Sequence, residues 1–217
     1  MRVLLSVLAL ILLAQPANAQ QRCPGGDTLV DVALTSDRGG VRFYNTKTLT
    51  DLKRMTGPGN YGNGERVLGL TRRVLDYRLQ ARTRTTTTDG RRYCVSLSRV
   101  DLHLGFKDFE VYIARKYRPG SCAYRVTKEH ELTHVALYRR ELADSLAAFK
   151  ARVIDAAMRE PVVWTSDINA TTQAMLNRLS RRLQADLRRL EDNMDRANSA
   201  IDTPEAYRQE HNKCRDW

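Results

Sequence analysis

The sequence predicts an α+β fold: an antiparallel sheet of hairpin and meander type, then a long helix packed on a second long helix. Three observations carry that prediction. Period-two alternation with β-branched and aromatic residues dominates up to Tyr117, and three-and-four apolar spacing dominates beyond Lys128. Between the two regimes stands Pro119-Gly120-Ser121, a breaker of both helix and strand.

At the start of the chain, Arg2 supplies a positive n-region and Val3 to Ala14 a short apolar h-region. Ala17-Asn18-Ala19 then forms a small-residue cleavage site. Residues 1–19 are expected to be a signal peptide, and no second membrane segment follows. Residues 20–217 suit one domain with its own core. Thr28 to Leu34 and Val41 to Tyr44 are strand-like, split by the turn Ser36-Asp37-Arg38-Gly39-Gly40. Thr48 to Met55 reads as a short helix, ended by the loop Gly57-Pro58-Gly59-Asn60.

Val74 to Thr88 reads as a strand ending at Asp89-Gly90, a hairpin-turn signal. A return strand carries Tyr93, Val95 and Leu97, then Val100, Leu102 and Leu104. After Gly105 a further strand, Phe109 to Tyr117, is expected to close a meander. The first long helix is expected over Lys128 to Met158, capped by Thr127, with Leu132, Val135, Leu142, Leu146, Phe149 and Val153 as its buried stripe. The second helix carries Ile168, Met175, Leu179, Leu183, Leu187, Leu190, Met194 and Ala197, and packs along the first. Asp202-Thr203-Pro204-Glu205 opens a final short helix.

Four cysteines in a chain with an export signal predict two disulfides, and the expected pairs are Cys94–Cys122 and Cys23–Cys214. Their long spacings, without a C-x-x-C pair, argue against a cysteine metal site. The formal charge of +11, or +10 without Arg2, favours anionic surroundings such as an envelope polymer. The arginines are scattered rather than gathered with aromatics, so no specific nucleic-acid site is expected.

The chemistry is concentrated in His130-Glu131-Leu132-Thr133-His134. Histidines four apart stack on one side of a helix and can reach one ion, while the glutamate between them can take a proton from water activated by it. Histidine is scarce, four in 217 residues, and two fall in this pentapeptide. At about 100° per residue both project away from the apolar stripe, as residues lining a cleft would.

This motif and layout resemble the predicted secreted zinc-dependent proteases of proteobacteria, a group of zincin-like metallopeptidases. The likeness covers most of the mature chain in layout, and the pentapeptide is its specific match; Lys128 departs from the usual uncharged residue. The resemblance implies Zn2+ held by His130 and His134, Glu131 as general base, and a protein or peptide substrate met in the periplasm or medium.

Catalytic zinc takes three protein ligands and keeps one open position. Glu141 lies about 10 Å beyond His134 along the helix, too far to share the ion. The third ligand is therefore sought elsewhere, first at His211 in a tail tethered by Cys214, then at Glu205, then at His103. Tyr138 and Tyr207 are candidates for stabilising an oxyanion. The alternative to a peptidase is a non-catalytic envelope protein of the same scaffold that binds an anionic polymer or partner through its arginines.

Overall fold

The computed structural model describes residues 23, 29–56, 67–87, 90–215 and 217. The expected signal peptide, the Gly57-Pro58-Gly59-Asn60 loop, and Thr28 and Asp89 lie outside them. The elements are β1 (Asp31–Thr35), β2 (Arg38–Tyr44), α1 (Leu49–Met55), β3 (Gly69–Thr87), β4 (Tyr93–Ile113), α2 (Cys122–Met158), β5 (Val163–Thr165), α3 (Ile168–Ser199) and α4 (Pro204–His211).

β4 is the spine of a mixed sheet. β3 pairs antiparallel with its whole length, so the two strands form a hairpin, and Gly90 between them has φ 72°. The other edge of β4 takes β5 antiparallel at Tyr93–Val95, then β1 and β2 parallel at 99–103 and 106–112. The all-antiparallel expectation is corrected on this point. β1 and β2 run in one direction, and the Ser36–Asp37 break between them does not reverse the chain. At that break Phe106 donates its backbone N–H to Asp37 O at 2.9 Å. Gly105 belongs there because a Cβ would meet the Asp37 backbone oxygen at 2.8 Å.

The expected meander is also corrected, since Tyr93 to Ile113 is one strand of 21 residues. Its pairing with β3 skips Ser98 and Lys107, two bulges that each shift the alternation by one residue. Inward residues therefore run 95, 97, then 100, 102, 104, 106, then 109, 111, 113, and all of them are buried. Without the bulges, half of this strand's apolar residues would face solvent.

Two helices cover the inner face. α2 packs Val135, Tyr138, Leu142, Phe149, Val153, Ala156 and Ala157 on β4, and α3 returns along it with Leu179, Leu183, Leu190 and Met194. The helix pair is intramolecular, as its spacing predicts. α2 starts six residues before the expected Lys128, because Ser121 rather than Thr127 caps it by accepting from Tyr124 N at 3.2 Å. Leu132 is 36% exposed and leaves the expected stripe. It lies over a groove beside Asp37 and Arg139, and Tyr138 takes the inward place.

Near α1, Leu52, Val67, Tyr112, Ile113 and Tyr117 form a second core. The capping box between Thr48 and Asp51 starts that helix as the sequence suggests. On the outer sheet face arginines alternate with acids: Arg42 meets Asp108, Arg72 meets Glu110, Arg78 meets Asp76, and Arg99 meets Asp31 and Asp101.

The disulfides are Cys23–Cys94 and Cys122–Cys214, which corrects both expected pairs. Cys94 stands at the start of β4 and Cys122 beyond its end. At roughly 3.3 Å per residue a strand of this length keeps them tens of ångströms apart, far outside disulfide reach.

Candidate metal centre

The one-turn offset on α2 sets His130 and His134 side by side, with ring centroids 4.7 Å apart. Both are buried, since the chain folds back over this face. α3 ends at its C-cap Ala200, and a tight turn follows, with Ile201 N and Asp202 N donating to Asn198 O and Ser199 O. Thr203 caps α4 by accepting from Ala206 N at 3.1 Å. Asp202, one residue earlier, is left without a capping duty and turns to the histidines.

Three atoms converge. Asp202 Oδ1 lies 3.0 Å from His130 Nε2 and 3.2 Å from His134 Nε2, and the two Nε2 atoms are 3.0 Å apart. A tetrahedral ion with bonds of about 2.0–2.1 Å separates its ligand atoms by about 3.3 Å. The triangle is thus slightly tighter than a metal would hold it.

The outer contacts fix which nitrogens face inward. His130 Nδ1 meets Glu210 Oε1 at 2.8 Å, and His134 Nδ1 meets Asn198 Oδ1 at 3.0 Å. The Asn198 amide is oriented because its Nδ2 donates to Met194 O at 2.8 Å. With Nδ1–H donating outward on both rings, both Nε2 lone pairs point at each other and at a carboxylate oxygen. Three acceptors meeting this way call for a cation or for protons between them. Tyr207 adds to the frame by donating its hydroxyl to Asp202 Oδ1 at 3.0 Å and lying against the His130 ring.

Electrostatics follow from the same contacts. Burial alone would depress His130, but its bonds to Asp202 and Glu210 and the charge of Glu131 overcome this and raise it to about 10 without metal. His134 is opposed by burial in the same way and is raised by its Asp202 bond and the charges of Glu131 and Asp202. Burial works against the Asp202 carboxylate, yet the two imidazoles hold it well below the usual carboxylate range.

Glu131 is buried, and that burial pushes its carboxyl up despite the nearby histidines. Thr71 on β3 fixes it, donating to Oε2 at 2.8 Å and also reaching Glu131 O at 3.1 Å. A cleft of about 350 Å³ opens beside it, lined by Gly69, Thr71, Glu131, His134, Tyr138, Asp195, Asn198 and Asp202 among others. Tyr138 there lies 3.3 Å from Arg73 Nη1 and 3.4 Å from Asp195 Oδ1.

Among the described residues, the structure joins His130 and His134 with Asp202, and not with the three expected partners. His211 stacks on Trp217, Glu205 pairs with Arg208 on α4, and His103 bonds Thr35 on the sheet. Glu205 and His211 are held at opposite ends of α4, and His103 on the outer sheet face. The tail does fold back over α2 as expected, but its ligand-like oxygen comes from its first residue. One sequence signal could have found it. Asp202 and Thr203 are adjacent capping residues before Pro204, and only one of them can cap, which frees the other. No family model matches the chain, and neither does any curated protein or any solved structure.

Proposed function

We propose that the protein is an exported zinc-dependent metallopeptidase on a zincin-like scaffold, with His130, His134 and Asp202 as ligands and Glu131 as general base. The observation that carries this reading is the convergence of three acceptor atoms whose outer partners aim them inward, with a buried carboxylate on the same helix turn. Two imidazoles and one carboxylate are a donor set suited to catalytic zinc. Zinc bound there supplies Lewis acidity, lowering the pKa of a water and polarising a carbonyl.

The chain's own residues do the rest. Glu131 accepts the water proton and passes it to the leaving amine, and burial, which raises its pKa, makes its carboxylate a stronger base for that exchange. Thr71 keeps the carboxylate oriented. Both candidate tyrosines are hydrogen-bonded, Tyr207 to Asp202 and Tyr138 to Arg73 and Asp195, and Tyr138 is the one that lines the cleft, which favours it for the oxyanion role. β3 pairs only with β4 among the described residues, and its Gly69–Thr71 stretch lines the cleft. An extended peptide added to that free edge would pass the cluster, which favours a protein or peptide substrate. The two disulfides favour an oxidising compartment such as the periplasm or medium.

The alternative, polymer binding through a basic face, finds less support. Arg42, Arg72, Arg78, Arg82 and Arg99 of the outer sheet face are paired with acids, and Arg178 and Arg182 close on the buried Glu160. The deciding experiment is metal analysis of dialysed protein together with casein hydrolysis by wild type and Glu131→Gln. One zinc per chain in both, with turnover reduced about a hundredfold or more in the variant, is the expected result. Wild type without zinc and without turnover would overturn the reading.

A further inference from the structure

Apart from Asn198, every group that organises the two histidines sits on one short segment. Asp202 meets both Nε2 atoms, Tyr207 meets Asp202, and Glu210 meets His130 Nδ1. That segment has little of its own to hold it. α4 is eight residues long and none of its residues is buried. A helix this short does not persist alone. Its far end is tied down by the Cys122–Cys214 disulfide, four residues past Glu210. Cys122 is the first residue of α2, eight residues before His130, or about 12 Å along the helix axis. The bond therefore pins the segment beside the stretch of α2 that carries the motif.

We propose that Glu210 is a positioning residue for His130, and that the Cys122–Cys214 disulfide holds the segment bearing Asp202 and Glu210 so that the metal centre becomes competent only once this bond has formed. The inference rests on the metal-site reading above. In the bond-forming reaction one cysteine thiolate attacks a disulfide of an oxidising dithiol–disulfide protein, and one of that protein's sulfurs leaves as thiolate. The second cysteine thiolate then attacks the first cysteine's sulfur in the mixed disulfide and expels the oxidant's remaining sulfur as thiolate. The oxidant departs as its dithiol with two electrons, taking up the two protons the cysteines release. While both cysteines are thiols the docked fraction of the segment falls, and apparent metal affinity falls with it. The chain would then stay inactive until it reached a compartment that oxidises thiols. Cys23–Cys94 is the internal control, because it closes the opposite end of β4.

The test measures zinc affinity by competition with a chromophoric chelator, in oxidised wild type, Cys122→Ser/Cys214→Ser, Cys23→Ser/Cys94→Ser and Glu210→Ala, with circular dichroism reporting the fold. The first double variant and Glu210→Ala should each weaken zinc by about tenfold or more. The second double variant should not. Glu210→Ala should also shift the visible bands of bound cobalt(II), which a merely structural role for Glu210 would leave alone.

Should the first double variant fail to fold, wild type alone decides. Saturating zinc must slow phosphine reduction of Cys122–Cys214, read by alkylation and mass mapping, and leave Cys23–Cys94 unaffected, because linkage is reciprocal. Equal rates with and without zinc, or unweakened binding in the folded variants, would overturn the inference while wild type still held stoichiometric zinc. Absence of zinc from oxidised wild type would overturn the metal reading itself.

Discussion

Gly69 lies directly against Glu131: a Cβ at this position would approach the Glu131 Cγ and the Thr127 Cγ2 to 2.8 Å each, and would collide with the carboxylate. The first residue of β3 thus leaves room for the proposed base, and Thr71 two residues later bonds it. Sheet edge and motif helix meet closely here.

The collision at Gly69→Ala has no cheap relief, because Glu131 is buried and held by Thr71. The expected cost is about 1–3 kcal/mol of stability, typical of overpacking. Peptidase activity should fall with it while zinc is retained, since Glu131 is not a ligand. Denaturant unfolding and metal content check this, and wild-type stability with full turnover would show that the carboxylate has freedom the packing denies.

Asp202→Ala separates the structure from the sequence expectation about the third ligand. Removing Asp202 takes away the oxygen that meets both Nε2 atoms, so the variant should lose stoichiometric zinc, as His130→Ala and His134→Ala should. His211→Ala, Glu205→Gln and His103→Ala should keep it, because each of these side chains is engaged away from the cluster. Metal content after dialysis, with circular dichroism to confirm folding, reads the outcome.

The pH dependence has a definite sign. Without metal, His130 is raised from 6.5 to about 10, so its charged form stabilises the fold fully below pH 6.5 and loses that contribution as pH rises through about 10. Asp202 is lowered, so its contribution is present above pH 3.8 and is lost as pH falls through its folded value. Metal competes with the imidazole protons. Zinc affinity should therefore rise by about tenfold per pH unit for each proton displaced, up to the folded His130 value. Titrating zinc at several pH values, with the thermal midpoint of metal-free protein alongside, tests both halves.

The helices and the motif were legible because their signals are local: a 3.6-residue period, capping residues and a pentapeptide. Asp202, Asn198 and Glu210 were not. They reach the histidines from 64 to 80 residues away in sequence, and only the return of α3 along α2 brings them there. The disulfide pairing failed for the same reason, since it depends on which end of β4 each cysteine occupies. The sheet was misread for a different one. A bulge shifts the alternation by one residue, and in sequence that shift looks the same as the end of one strand and the start of another.

That last point is testable at Lys107. The residue is exposed, and the pairing of β3 with β4 passes over it between Asp108 and Phe106. Lys107→Ala keeps the extra residue and should leave stability nearly unchanged, as surface substitutions do. Deleting Lys107 leaves Asp108 alone between Phe106 and Phe109, so the alternation becomes regular and Phe109, Val111 and Ile113, all now fully buried, still face the core. Deleting the regularly paired Glu110 instead brings Val111 next to Phe109 and turns Val111 and Ile113 outward. Each buried side chain of this size is worth about 1.5–3 kcal/mol, a large share of the stability of an ordinary domain for the two together. The Glu110 deletion should therefore lose its cooperative transition by circular dichroism, while the Lys107 deletion keeps one. A Glu110 deletion as stable as Lys107→Ala would mean that β4 slips past the missing residue and that the alternation does not set its register.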